Sequence, residues 1–379
     1  MADIQGTCDE RFAKVRDVLA QGIDSGADQG ASVAIVKDGE FVVDIWGGTT
    51  DMVDGDEGVP WQRDTLVNVY STTKTMTNLS ALICADRGLI DLDAPVATYW
   101  PEFAEGGKAD TVLVRHLLAH TAGLCGFEDP MEPEDLYDWD KCCARLAAQA
   151  PWWEPGTASG YHAVTQGYLV GEVIRRVTGK SLGTFFEEEL AGPLGADFHI
   201  GTGPEYDARI GKLIPPNEPI VPTNADEKSL VVKTFANPIV KAEASWTPEW
   251  RRAEIPAANG HGNARSVARV QSIVSHGGTV DGKSFISQDM LDRIFEVQMN
   301  GTDLILGIPM TFGIGYGLLG LPGMERTCFW GGWGGSVVFN DLASRMTIVY
   351  VMNKMGLGTT GDSRGIGVVF AAFEAAGAR

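Results

Sequence analysis

Positive charge is what this sequence most conspicuously lacks. Its 379 residues carry 30 Lys and Arg against 50 Asp and Glu, a formal net charge of −20 at pH 7. A field of that sign repels polyanions and argues against nucleic acid and anionic membrane as partners. No apolar run approaches the roughly 20 residues that a membrane span needs. The opening Met1-Ala-Asp-Ile-Gln-Gly-Thr-Cys8 has neither the basic flank nor the apolar stretch of a signal peptide, so the expected location is the cytoplasm. Cysteines are also few: Cys8, Cys84, Cys125, Cys142, Cys143 and Cys328, with no CxxC pair. That spacing rules out a disulfide framework and a paired-cysteine metal site, leaving reduced structural thiols.

What is present is ordinary for a folded protein with a sizeable core: 44% hydrophobic and 21% charged residues. The length suits one large domain or two joined lobes. Ala13 to Ile23 reads as a helix, and Ser32–Val36 and Phe41–Trp46 flank Asp38-Gly39 as a hairpin. Near the other end, Thr327–Trp330, Gly335–Phe339 and Met346–Met352 read as strands, followed by a helix from Gly367 to Ala376. Between them the pattern is mostly helical: Met76–Arg87, Val112–Leu118, Leu136–Ala148, Gln166–Val177, Thr184–Leu190 and Ala264–Ser275. Gly201 to Pro256, rich in Pro, Gly and Asn, reads as long loops. The expectation is an α/β fold: an antiparallel sheet flanked by N- and C-terminal helices, built from residues 1–70 and 305–379, with 71–304 as a mostly helical insertion.

Three segments carry chemistry. Ser71-Thr-Thr-Lys74 opens a helix, and a spacing of three puts Ser71 and Lys74 on one face. There the hydroxyl lies near the helix's positive end, unpaired amides are available to an oxyanion, and a lysine whose pKa is lowered by burial exchanges protons. Alone, the same four residues also fit an N-cap beside a solvated lysine. The second segment is Gly160-Tyr161-His162-Ala163, after a Pro/Gly turn, where Tyr161 serves as a base if a cation lowers its pKa. The third is Cys328-Phe-Trp330-Gly331-Gly332-Trp333-Gly-Gly-Ser336, whose glycines let a strand edge approach a ligand.

In this order the three segments resemble the serine β-lactamase and penicillin-binding-protein superfamily, and more closely the family VIII carboxylesterases, whose third motif is often Trp-Gly-Gly. Arg87–Val96, Val114–Leu124 and Asn259–Arg265 are similar to the same family, so the resemblance covers nearly the whole chain. It implies the β-lactamase/transpeptidase-like fold, Ser71 as nucleophile, Lys74 and Tyr161 as the proton-transfer pair, and the amides of Ser71 and Trp333 as the oxyanion hole. No metal or organic cofactor is implied. Two positions depart from the lactamases: Ala163 stands where Tyr-x-Asn has its amide, and Trp330 stands where Lys-Thr-Gly has its cation. Both favour a small neutral acyl ester over a charged lactam. The expected activity is a serine carboxylesterase on short-chain esters. A β-lactamase, a DD-peptidase and an acyltransferase are the enzymatic rivals, and a penicillin-recognition or sensor module is the non-enzymatic one. Trp330, Gly331, Gly332, Trp333, His162, Phe127 and Trp153 are the expected substrate-binding residues, with Trp152 and His261 nearby.

Other signals read as structure. Gly179-Lys-Ser181-Leu-Gly183 matches the G-x-S-x-G elbow, but a helix rather than a strand precedes it, which makes Ser181 a helix cap. His116 and His120 have a zinc-pair spacing without a third ligand, so both are expected in structural hydrogen bonds. Glu187-Glu-Glu189 reads as a solvated helix face.

Overall fold

Apolar strands pair among themselves within each end of the chain, and the two sets join along one seam into a single sheet. The computed structural model describes residues 2–221, 226 and 228–377. Its main sheet takes β1 (Ile4–Cys8), β2 (Gly30–Lys37), β3 (Glu40–Thr50) and β4 (Val59–Pro60) from the N-terminal part. From the C-terminal part come β5 (Met299–Thr302), β6 (Pro309–Phe312), β7 (Gly317–Leu318), β8 (Thr327–Gly331), β9 (Val337–Asp341) and β10 (Met346–Met352). The order is β1-β3-β2-β10-β9-β8-β7-β6-β5, with β4 on β3, and neighbours run antiparallel. The seam is β2 against β10, from Ala31 opposite Met352 to Lys37 opposite Met346. Every residue of β10 and all but the last of β2 are buried, as strands covered on both faces must be.

Both faces carry helices. Helix α1 (Ala13–Asp24) packs with the C-terminal helix, Ser363–Ala375, on one side of the sheet. The helix Ala264–Ser275 lies against β2, β9 and β10. Side chains alternate along a strand, so Thr347, which meets the Ser275 hydroxyl at 2.7 Å, and Tyr350, which bonds to Asp28 at 2.5 Å, report opposite faces. The helix α2 (Thr73–Asp86) is buried on all sides, from Thr73 through Ala85, between these layers and the helical part around Thr165–Thr178.

Elements with strong periodicity fall within a few residues of expectation, and the differences have local causes. The strand expected from Gly335 begins at Val337, because Gly334 and Gly335 have φ of 97° and 132°. The last helix starts at Ser363, capped by Asp362, whose carboxylate accepts from the Arg364 amide at 2.9 Å; the glycines at 365 and 367 obscure that turn in the sequence. Two elements of the stretch assigned to the helical insertion, β5 and the helix Ala264–Ser275, belong with the sheet.

Arg364 ties this frame together. Its guanidinium reaches Asp28 at 2.8 Å, the Lys354 carbonyl at 2.8 Å and the Gly334 carbonyl at 2.6 Å. Asp28 is buried, and burial pushes its pKa up despite the partner. Removing one member of a buried pair strands the other, so Arg364→Ala is expected to lower stability by about 3 kcal/mol, measured by urea unfolding.

Candidate active site

Ser71 sits in a single 3₁₀ turn, Tyr70–Thr72, that feeds directly into α2. The turn is strained at its first residue: Tyr70 has φ of 43°, a conformation that bulky residues rarely adopt. Tyr70 is held there by burial, by its hydroxyl donating to the Ala242 carbonyl at 3.3 Å, and by the Trp333 ring 4.9 Å away. The result is a serine at the head of a helix. Among the described residues, the Ser71 amide makes no backbone hydrogen bond.

Lys74 lies one turn on and is 1% exposed. Its Nζ is 2.7 Å from the Ala163 carbonyl and 2.9 Å from the Ala257 carbonyl, and it stands 3.0 Å from Ser71 Oγ and 3.1 Å from the Tyr161 hydroxyl. Burial drives its pKa well below the ordinary lysine value. A neutral amine has two N–H bonds and one lone pair. The carbonyls can only accept, so they take both N–H bonds and leave the lone pair facing the two hydroxyls. Ser71 Oγ and the Tyr161 hydroxyl are themselves hydrogen-bonded.

Tyr161 departs from the sequence expectation in one respect. No cation lowers its pKa; burial pushes it up, and the nearby Asp303 carboxylate acts in the same direction. Burial thus favours the protonated phenol over the phenolate. Ala163 also has a role that side-chain identity concealed, because its main-chain oxygen orients Lys74 where the missing amide would have done so.

The Trp-Gly-Gly segment closes the other side. Gly332 lies against the Ser71 turn so closely that a Cβ there would sit 2.2 Å from the Val69 carbonyl, and one on Gly331 would sit 2.3 Å from the Thr360 carbonyl. Ser336 fastens the two segments, meeting Thr72 Oγ1 at 2.9 Å and donating to the Val69 carbonyl at 3.0 Å. The Trp333 amide, like that of Ser71, has no backbone acceptor among the described residues.

An open cleft of about 510 Å³ lies over Ser71 and Tyr161, walled by Tyr70, Ala163, Phe235 and Trp333. Ile220, Phe235, Val240 and Trp333 also border an adjoining groove of about 1170 Å³. Much of this wall comes from the stretch read as long loops, including the short helix Leu230–Phe235, whose weak periodicity gave no signal.

Of the expected substrate-binding residues, Trp333 lines the cleft. Trp330, Gly331 and Gly332 do not: Trp330 is buried, with its ring 5.6 Å from that of Tyr161 and stacked on His120 at 5.4 Å. Gly331 and Gly332 act through close backbone approach. His162, Phe127 and Trp153 are corrections. His162 is wholly buried, its Nδ1 against the Gly160 carbonyl at 2.6 Å and its Nε2 accepting from the Leu124 amide at 3.2 Å. Phe127 packs on Tyr168 in the core, and Trp153 donates to the Ala158 carbonyl at 3.0 Å. Trp152 bonds Glu128 at 2.5 Å, and His261 is buried against the Asn259 carbonyl; neither lines the cleft.

The decoys resolve as structure. Ser181 caps the next helix and donates to Glu254 at 2.6 Å. The His116 and His120 Nδ1 atoms accept from the amides of Leu113 and His162. No cluster of three metal-ligating side chains occurs among the described residues. Two residues near the site went unread in the sequence: Ser336, described above, and Asp303, whose carboxylate accepts the Tyr161 amide at 3.1 Å.

Comparison with known proteins fits this geometry. The beta-lactamase family model matches residues 15–372. The chain belongs to the beta-lactamase family. An esterase/beta-lactamase, LipL of Mycobacterium tuberculosis, is 34% identical over 92% of this chain and 83% of its own. The solved structure of a family VIII carboxylesterase is 41% identical, covers 98% of this chain and 100% of that one, and superposes with a TM-score of 0.91. A penicillin-binding-protein homologue from Caulobacter crescentus matches over the same shares at 39% identity and a TM-score of 0.91. The antiparallel sheet with its inserted helices is thus the β-lactamase/transpeptidase-like fold.

Proposed function

We propose that this protein is a serine carboxylesterase acting on small, uncharged acyl esters through an acyl-enzyme on Ser71. The observation that carries the reading is the buried Lys74 Nζ, held by the Ala163 and Ala257 carbonyls and within 3.1 Å of both Ser71 Oγ and the Tyr161 hydroxyl. Lys74 takes the Ser71 proton as Oγ bonds to the ester carbonyl carbon. The oxyanion is received by the amides of Ser71 and Trp333. The intermediate collapses with cleavage of the bond to the alcohol, which leaves with a proton passed from the Lys74 ammonium through the Tyr161 hydroxyl. Water, deprotonated by the same amine, then attacks the acyl carbon, and its collapse frees the acid and restores the Ser71 hydroxyl.

The substrate class is supported by the lining. Among the described residues the lining of the cleft over Ser71 carries no charged side chain, and Trp330 stands where the family resemblance would place the lactamases' cation. We keep the proposed division of the chain, 1–70 with 305–379 against 71–304, as a description of which parts meet at this cleft, with the exchange of β5 and the helix Ala264–Ser275. A cytoplasmic location belongs to the same reading, supported by the sparse use of cysteine; among the described residues no helix is long and apolar enough to cross a membrane.

Ser71→Ala is expected to abolish hydrolysis of p-nitrophenyl butyrate, while Ser181→Ala stays within a few-fold; the reverse result would remove Ser71 from the mechanism. Because the base is a neutral amine, acid must switch the enzyme off. The pH profile of kcat/KM should have one acidic limb, lying well below the ordinary lysine range, and rate should fall as pH drops through it. A β-lactam carboxylate desolvated in a cleft whose described lining carries no cation loses its water without compensation, which costs several kcal/mol. Short p-nitrophenyl esters should therefore exceed nitrocefin in kcat/KM by about a thousandfold, or roughly 4 kcal/mol. Nitrocefin turnover within tenfold of the ester would favour the β-lactamase reading instead.

A further inference from the structure

Tyr161 works only if its hydroxyl stays between Ser71 Oγ and Lys74 Nζ, yet it sits on an irregular segment with no helix or strand to hold it. Three successive amides of that segment are held from outside. The Gly160 amide donates to the His120 carbonyl at 3.0 Å, the Tyr161 amide to Asp303 Oδ1 at 3.1 Å, and the His162 amide to His120 Nδ1 at 3.0 Å. His120 itself has φ of 59° and packs edge-on to the Tyr161 ring at 5.1 Å. The segment is thus gripped alternately by His120 and by a buried carboxylate that follows β5.

Asp303 is fully buried. Its Oδ1 also accepts the amides of Ile305 and Leu306, each at 2.9 Å, and the Leu304 amide donates to the Ser159 carbonyl at 2.9 Å. One oxygen therefore closes its own turn and fixes the Tyr161 main chain to it. Oδ2 has no hydrogen-bond partner among the described residues. A buried carboxylate used through one oxygen alone is an unusual choice where a neutral acceptor would serve for structure.

We propose that Asp303 is a positioning residue for the reaction, acting through Tyr161: its Oδ1 sets the main-chain position from which the phenol bridges nucleophile and lysine. The proposal rests on the Ser71 reading above. It assigns to the side chain no contact with substrate and no proton transfer. The essential feature is the acceptor at Oδ1, since Oδ2 forms no bond that an amide nitrogen would break.

The test is a double-mutant cycle on p-nitrophenyl butyrate hydrolysis, with folding checked by circular dichroism. Asp303→Ala should lower kcat about 100-fold with KM nearly unchanged, the size expected when a catalytic group is misplaced by about 1 Å. Asp303→Asn should stay within tenfold of wild type. In a Tyr161→Phe background, Asp303→Ala should cost less than about threefold more, because a residue acting through Tyr161 has nothing left to position. A role in general stability would give the same loss in both backgrounds and would overturn the proposal, as would full activity in Asp303→Ala or a folded Asp303→Asn impaired more than tenfold. Should Asp303→Ala not fold, Asp303→Asn decides alone by that tenfold limit. Hydrolysis that survives Ser71→Ala would instead overturn the Ser71 reading and the Asp303 proposal with it.

Discussion

The burial of one lysine amine constrains everything else in this molecule. An ammonium in an apolar interior is so unfavourable that the group gives up its proton unless an anion pairs it. Lys74 has no such partner among its contacts; it has two carbonyls and two hydroxyls. Those carbonyls, from Ala163 and Ala257, belong to chain segments remote from α2 and from each other, so the helical part must close around the lysine for the amine to be satisfied. Solvent exclusion and base strength are one property here. The same burial raises the pKa of the Tyr161 phenol, which in the proposed mechanism keeps a proton available where the alcohol leaves.

The sheet reaches the site through the end of an inner strand. β8 ends in Gly331, and the following residues come against the Ser71 turn because Gly332 has no Cβ to meet the Val69 carbonyl. Ser336 then bonds across to Thr72 and Val69, and Arg364 holds the Gly334 carbonyl from behind. The Trp-Gly-Gly side of the cleft is therefore anchored in the frame that joins the two ends of the chain, while the Lys74 side is anchored in the inserted helices. Neither part contains the site alone.

What the sequence made legible follows from how local each signal is. The seam strands β2 and β10, and the helices with clear 3.6-residue periodicity, read true because burial of one face or both is written in the side chains themselves. That Ser71, Lys74 and Tyr161 lie together was legible because the proposed chemistry depends on residue type. The lining was not. Phe127, Trp153 and His162 are large or polar enough to suggest a pocket, yet each is satisfied elsewhere, and residue type says nothing about which way a side chain faces. The actual wall draws on Ile220, Phe235 and Val240, ordinary apolar residues in a Pro- and Asn-rich stretch whose path only tertiary packing defines. The two acceptors on Lys74 were invisible for a different reason, since a main-chain carbonyl is the same at every residue.

That last point explains how the site tolerates alanine at position 163. Where a side-chain amide orients a lysine, the amide also presents its polar end to the substrate. Here the main chain takes over the orienting task, and the Ala163 methyl group is left to face the cleft beside Val164 and Ala258. Trp330, an indole packed against His120 and Phe312, offers no cation either. The machinery that activates Ser71 is kept, and the polar groups that would hold an anionic substrate are removed. A neutral acyl group loses little on entering such a cleft, whereas a carboxylate loses its water and gains no partner. Selectivity then arises without any new attractive contact, from what the walls no longer offer.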